Sequence, residues 1–444
     1  MSAMTLALGR GLLGMNGYQW TVLLAAWLGW GFDVFDGLLF NYVAPNCVPT
    51  LLHIPLGTPA AKGAYQFWTG LLAALLLLTW AAGGILFGRV ADKIGRTKTL
   101  LLTMLLYAAG TACCALAPNM AVLILCRIVA GLGIGGEWAA GASLVAEVVP
   151  EERRVEAGAL LYTSAPFGLF LATFANHQIA GVWLKSAPEV SWRYVFACGL
   201  VAALVAFLMR LVIREPERWR RAAAASAPPR LRELFTAENR ALTLSGLVPA
   251  LITLLTWWSC STFIPNFATG LAQTAATADG LAKVATQARI EDWKALATYS
   301  FNWGGLLGTL LTIPAAKWLG RRAMFAVYFV LSAAALFATF GLDLEPKTRL
   351  SLYFFIGLTV FGVLGSFPFY LTELFPTRLR ATGAGFCYNF GRIVTAAGPF
   401  IVGSVAAQET YSIQHTLFWI GVIPLVGLLL LPLIIETKGR TLRD

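Results

Sequence analysis

The sequence predicts an all-α membrane protein with twelve transmembrane helices in two six-helix bundles and both termini cytoplasmic. Three observations carry this. Hydrophobic residues make up 58% of the 444 positions and charged ones only 12%, about half the charge of a soluble chain. Apolar runs of about 20 residues recur, each long enough to cross a hydrocarbon core of roughly 30 Å as a helix. A single offset of 226 residues also superimposes "RIVAGLGIGGEWAAGASLVAEVVPEERRVEAGALLY" from Arg127 on "YFFIGLTVFGVLGSFPFYLTELFPTRLRATGAGFCY" from Tyr353. Gly131 then meets Gly357, Glu147 meets Glu373, Arg154 meets Arg380 and Tyr162 meets Tyr388, without a gap. A membrane chain built from two similar halves works by rocking one half against the other around a site between them.

In chain order, the segments fall near residues 18–45, 66–88, 98–116, 120–146, 156–180, 192–213, 241–268, 295–314, 323–341, 350–372, 382–405 and 415–435. The first holds Asp33 and Asp36 and ends at no small-residue cleavage site, so it reads as a retained helix rather than a signal peptide. A tight basic turn joins the second and third, and the fourth carries Arg127 and Glu137. After the sixth comes "REPERWRRAAAASAPPRLRELFTAENR", basic and Pro-containing. It is read as a cytoplasmic linker over 214–240 between domains at 1–213 and 241–444. The connection from about Leu271 to Lys294, with Asp279, Glu291, Asp292 and Trp293, is expected to be an outer connection able to form a short surface helix and is assigned no role. The eleventh segment contains Arg392, and the twelfth runs out into "ETKGR".

The net charge of +11 does not point to nucleic acid. With the termini inside, 23 of the 33 Lys and Arg lie on the cytoplasmic side, 8 on the outer side, and Arg127 and Arg392 within helices. This is the positive-inside distribution of a multi-pass protein in the cell membrane. The seven cysteines sit in or beside apolar segments without metal-ligand spacing, so they read as small hydrophobes. No nucleophile–base pair, metal cluster or phosphate loop is present, and neither an enzyme nor a cofactor is expected.

Ionisable groups at mid-membrane cost about 2.5–3.5 kcal/mol each on insertion scales, so they face a cavity and mark function by default. Arg392 lies about 11 residues into its segment, or about 16 Å deep. Tyr388 at i−4 and Asn389 at i−3 share its face. A planar, permanently charged fork suits a carboxylate; pairing with an acid of the first segment is the alternative. Asp33 and Asp36, at i and i+3, are read as sharing one face and raising each other's proton affinity, as proton coupling needs. Capping a broken helix or pairing with Arg would be their structural role. Glu137, about 15 Å before Glu147, is a second candidate proton carrier or a buried partner for an Arg. Arg127 is read as structural or as part of an outer vestibule. Trp138, Tyr162 and Trp258 are the aromatics chosen as substrate contacts, among many that serve packing.

Several motifs resemble those of a known family. "GGILFGRVADKIGRTKTL" from Gly83 resembles the signature loop of the major facilitator superfamily. "REPERW", the Glu-x6-Arg pairs Glu147/Arg154 and Glu373/Arg380, and "ETKGR" resemble marks of its sugar-porter, organic-ion and metabolite:proton symporter branches. The resemblance implies the major facilitator fold. It also implies a cytoplasmic latch between the halves, carried over here to Asp92, Arg96, Glu147, Arg154, Glu373 and Arg380 as gating residues. In the second half "GTLLTIPAAKWLGRR" has Lys317 where the first has Asp92, so the first-half loop is expected to dominate. "FCYNFGRIVTAAGP" resembles the eleventh helix of organic-anion carriers, where an Arg contacts the anion. "GWGFDVFDG" resembles the acidic first helix of sialate, aromatic-acid and lactate symporters, although the acid-Gly-aromatic-acid order is not reproduced.

The function expected is proton-coupled symport of a small organic carboxylate by alternating access. Its partners would be the organic anion, protons and the lipid bilayer, and the protein would be a monomer. Alternatives are a facilitator of neutral sugars, against which the seventh segment "LITLLTWWSCSTFIPNF" offers no Gln, and an organic-ion or drug antiporter. A non-transporting sensor would carry a long extra domain, and none is seen in these 444 residues.

Overall fold

The computed structural model describes residues 14–94, 96–135, 145, 148–212, 230–376, 379–408 and 412–439. Helices dominate these residues, and no strand occurs among them. In the first half they are α1 (Gly17–Leu51), α2 (Pro59–Ile94), α3 (Arg96–Ala115), α4 (Met120–Gly135), α5 (Arg154–Tyr162), α6 (Ser164–Asn176) and α7 (Pro188–Val212). In the second half they are α8 (Arg240–Ser261), α9 (Ile264–Ala278), α10 (Lys283–Trp318), α11 (Arg321–Gly341), α12 (Pro346–Ser351), α13 (Tyr353–Leu364), α14 (Phe367–Leu374), α15 (Arg380–Thr395), α16 (Ala397–Ala406), α17 (Ile413–Ile420) and α18 (Val422–Leu429). Short breaks at Thr163, Gly365, Ala396 and Gly421 divide longer rods. Six described helices or continuous rods are long and apolar enough to cross a membrane, and three shorter apolar ones accompany them.

Small residues let the rods close up. An added Cβ on Gly403 of α16 would come 2.9 Å from Gly70 Cα on α2, so backbones from opposite halves touch there as in small-residue membrane interfaces. Large apolar side chains face outward along several rods, among them Leu125, Leu204 and Leu429 at 62%, 57% and 79% exposure. That exposure is ordinary where the surrounding solvent is lipid.

The rods have two ends. The turns between α2 and α3, α4 and α5, α10 and α11, and α14 and α15 mark a basic end, and those between α1 and α2, α3 and α4, α6 and α7, α9 and α10, and α11 and α12 mark a far end. At the far end the structure departs from the sequence-based segments. The connection over 271–294, read as able to form a short surface helix, is helical except for a turn at 279–282, but its second part is continuous with the next span: α10 starts at Lys283, about 12 residues earlier than the apolar pattern indicates. Its charges cancel locally: Glu291 and Lys294, 0% and 1% exposed, pair at 2.7 Å, so the helix continues through them without leaving a charge unmatched.

Candidate functional site

The two halves meet along a chain of aromatic rings. Tyr162 packs near Trp30, Trp30 near Trp80, and Trp80 near Trp258, with ring centroids 6.2, 6.0 and 6.2 Å apart. Trp257 extends the line from Trp258, at 4.9 Å. Tyr162 and Tyr388, mates in the 226-residue repeat, place their hydroxyls 3.1 Å apart. Repeat mates can touch only where the two halves' symmetry axis passes between them, so this bond marks the axis.

Arg392 lies beside that bond and is 2% exposed. Its guanidinium stands 4.2 Å from the Trp80 ring, 4.3 Å from the Tyr388 ring and 6.0 Å from the Trp30 ring. Nη1 donates to Asn389 Oδ1 at 3.1 Å, while Nε has no hydrogen-bond partner. The fully buried Asp33 lies within electrostatic reach of it. Tyr388 also makes a side-chain hydrogen bond to the guanidinium, whereas ring faces attract a cation without using its N–H groups, so Nε is the donor kept for an acceptor arriving from elsewhere.

Asp36 goes another way. Its Oδ2 accepts from Thr111 Oγ1 at 2.5 Å, and Arg127 donates to the carbonyls of Asp36 at 3.2 Å and Gly37 at 2.5 Å. The shared face read for the two acids is therefore corrected. Residues three apart on a helix differ by about 60° in direction, and Asp36 lies in the first half against Thr111 and Arg127, whereas Asp33 interacts electrostatically with Arg392. Asp36 Oδ1 has no hydrogen-bond partner.

Farther along α1 lies a cavity of about 20 Å³ lined by Asn41, Tyr42, Ser261, Thr298 and Asn302 among apolar residues. It would hold one water and no metabolite. Ser261 Oγ and Asn302 Oδ1 are buried there without partners.

At the basic end Glu373 accepts from Arg321 at 2.7 and 3.1 Å and from Thr437 at 2.6 Å. These bonds stay within the second half, so Glu373 braces its own loop, where the expectation was a bond between halves. Among the described residues, a link between halves comes from the loop expected to be the lesser one: Lys317 donates to Glu156 of α5 at 2.6 Å. Glu436 accepts from the amides of Arg321 and Arg322, each at 3.0 Å, and so caps the start of α11. Burial opposes ionisation of Glu436, but those amides, that of Lys438 and the Arg321 charge outweigh it and hold the carboxyl below its ordinary value. Glu137, Trp138 and Glu147, and the side chains of Asp92, Arg96, Arg154 and Arg380, lie outside the described residues.

Sequence reasoning missed the far-end cluster. Asn176 Nδ2 donates to Glu291 Oε2 at 2.7 Å, Gln287 Nε2 to Glu291 Oε1 at 2.9 Å, and Lys294 Nζ to the Tyr42 carbonyl at 3.1 Å. The i,i+3 spacing of Glu291 and Lys294 was a signal, but in a charge-rich stretch it reads as a solvated face.

The model of the Major Facilitator Superfamily matches residues 26–399. A metabolite transport protein of Haemophilus influenzae is 29% identical over 441 residues, covering 96% of this chain and 99% of that one. The sialic acid transporter NanX of Escherichia coli is 25% identical over 405 residues, covering 91% of each. Among solved structures, a D-xylose-proton symporter superimposes with a TM-score of 0.72 at 19% identity, covering 96% of this chain and all of the other.

Proposed function

The chain belongs to the major facilitator superfamily of transporters, and from that premise we propose that it carries a small organic carboxylate together with protons by alternating access. In this reading twelve spans form two six-helix bundles, and the basic end faces the cytoplasm. The observation that carries the proposal is Arg392: a buried guanidinium at the junction of the halves, held by ring faces and by the Asn389 and Tyr388 side chains, with Nε left without a partner. A carboxylate is the planar acceptor that matches such a fork. A relative named for sialic acid, itself an organic acid, supports the same class.

Asn389 orients the guanidinium, Tyr388 and Tyr162 close the floor of the site, and Trp258 and the undescribed Trp138 would flank the body of the substrate. Asp33, near Arg392, takes the proton while the substrate carboxylate occupies the guanidinium and gives it up after release, so that its carboxylate balances Arg392 when the empty site reorients; Asp36 and Glu137 are the other candidates. Asp92, Arg96, Glu147, Arg154, Glu373 and Arg380 act in gating at the basic end, Glu373 by bracing the loop that carries Lys317.

The test is uptake of labelled carboxylates into proteoliposomes with and without an inward proton gradient. Gradient-stimulated uptake that collapses in Arg392→Ala supports the reading. Gradient-independent uptake of a neutral sugar, unchanged in Arg392→Ala, would overturn it.

A further inference from the structure

We propose that Glu291 and Lys294 of α10 form the latch that holds the far end shut, and that its rupture opens the outer pathway. Both side chains are buried, and each reaches from the second half into the first: Glu291 accepts from Asn176 at the end of α6, and Lys294 donates to the Tyr42 carbonyl of α1. Other cross-half bonds surround them at this end. His177 Nε2 and Asp292 Oδ1 are 2.9 Å apart, and Gln273 Nε2 donates to the Gly57 carbonyl at 2.8 Å. Opening the far end must break these bonds together.

A second observation lies in the backbone. Residues His177–Trp183, immediately after Asn176, form a π-helix, a wide turn that concentrates at functional sites. Gly181 lets this turn approach α10, since an added Cβ would come 2.8 Å from Glu291 Cβ. The latch partners Asn176 and His177 thus stand at the start of this irregular turn.

The chemistry explains why the latch is ionic. Burying an ion pair costs nearly as much desolvation as its attraction returns. The closed end is then held in register without being held tightly, because both charges regain water when it opens. An apolar pair of similar volume would seal the end. A single neutralisation would leave the other charge buried without its partner and spring the end open. The two kinds of substitution therefore act in opposite directions, which a merely structural role would not produce.

Hydrogen–deuterium exchange of the full-length protein in nanodiscs reads this directly. Glu291→Gln is expected to speed amide exchange in residues 176–183 and 284–294 by about tenfold, while the double variant Glu291→Leu with Lys294→Met slows it below that of the native chain. Asn176→Ala, which keeps both charges and removes one bond between halves, is expected to shift the same segments in the same direction as Glu291→Gln by less. It carries the test if the charge variant yields no folded protein. Unchanged exchange in Glu291→Gln and Asn176→Ala, or equal acceleration in the single and double charge variants, would overturn the latch. The inference rests on alternating access and not on the substrate. Exchange is measured without ligand, so failure here leaves the carboxylate reading standing, and failure of carboxylate uptake leaves the latch standing.

Discussion

Arg127 and Arg392 are both 2% exposed and both sit within helical rods, yet their surroundings differ in kind. Arg127 is tied to peptide carbonyls of α1, at Asp36 and Gly37, with the Asp36 carboxylate beside it. Arg392 is held by the faces of Trp80 and Tyr388 and by hydrogen bonds to the Asn389 and Tyr388 side chains. Carbonyls cannot leave without unwinding a helix, so Arg127 is committed to the fold. Side chains can swing away from Arg392, and its Nε is uncommitted. Burial alone does not mark a functional charge in a membrane; the exchangeability of its partners does.

The sharpest way to break this contrast is to remove each guanidinium. Arg392→Ala is expected to lower carboxylate uptake at least about 100-fold, equivalent to about 2.7 kcal/mol of transition-state stabilisation, without lowering the thermal unfolding midpoint. Arg392→Lys should fare little better, because an ammonium cannot reproduce the planar fork. Arg127→Met should do the reverse, costing about 3 kcal/mol or more of stability by stranding the Asp36 carboxylate and two carbonyls. Uptake per folded molecule should fall far less. Unfolding midpoints and uptake measured on both variants decide it. If Arg127→Met unfolds like the native chain but fails to transport, the contrast is wrong.

A smaller effect sharpens the contrast from the aromatic side. Trp80→Leu removes the ring face 4.2 Å from the guanidinium, a contact worth about 0.5–2 kcal/mol. The expected result is a rise in KM of about three- to thirtyfold with kcat nearly unchanged, since ring and substrate act on the same cation. Equal losses in both constants would mean that Trp80 serves the moving step instead. Initial rates of uptake over a range of substrate concentrations separate these outcomes.

Arg392 was legible in the sequence because a lone charge in an apolar run, with Tyr388 and Asn389 one turn before it, has few soluble-protein explanations. The Tyr162 and Tyr388 pairing was legible too, through the offset of 226, since symmetry carries mates toward a common axis. Glu291 and Lys294 were not legible as a buried pair. Their burial depends on Asn176 and Tyr42, more than 100 residues away, and composition sees only neighbours. Lys317 shows the same limit: the missing Asp in its loop suggested a lost latch, whereas its partner Glu156 lies in the opposite half. The divergence of Asp33 and Asp36 was hidden by the small angle between i and i+3, which suffices to separate them when two arginines lie on opposite sides of one helix.

A third arginine calibrates the comparison. Arg321, at the basic end, has what neither buried arginine has, a carboxylate bound at two of its nitrogens, Glu373 at 2.7 and 3.1 Å. Glu436 caps its helix from the side. Removing that cap's charge with Glu436→Gln should cost about 0.3–1 kcal/mol, the size of a helix-terminus charge effect, reduced because the site is partly solvated. The sign with pH follows from the lowered Glu436 carboxyl. Its folded-state pKa lies below the ordinary value of 4.5, so the contribution is complete above that value and disappears as pH falls through the folded-state pKa. Unfolding midpoints of native and variant chains should therefore differ slightly at pH 7 and converge in acid. A difference that grows on acidification would mean that the capping amides are not what holds this carboxyl ionised.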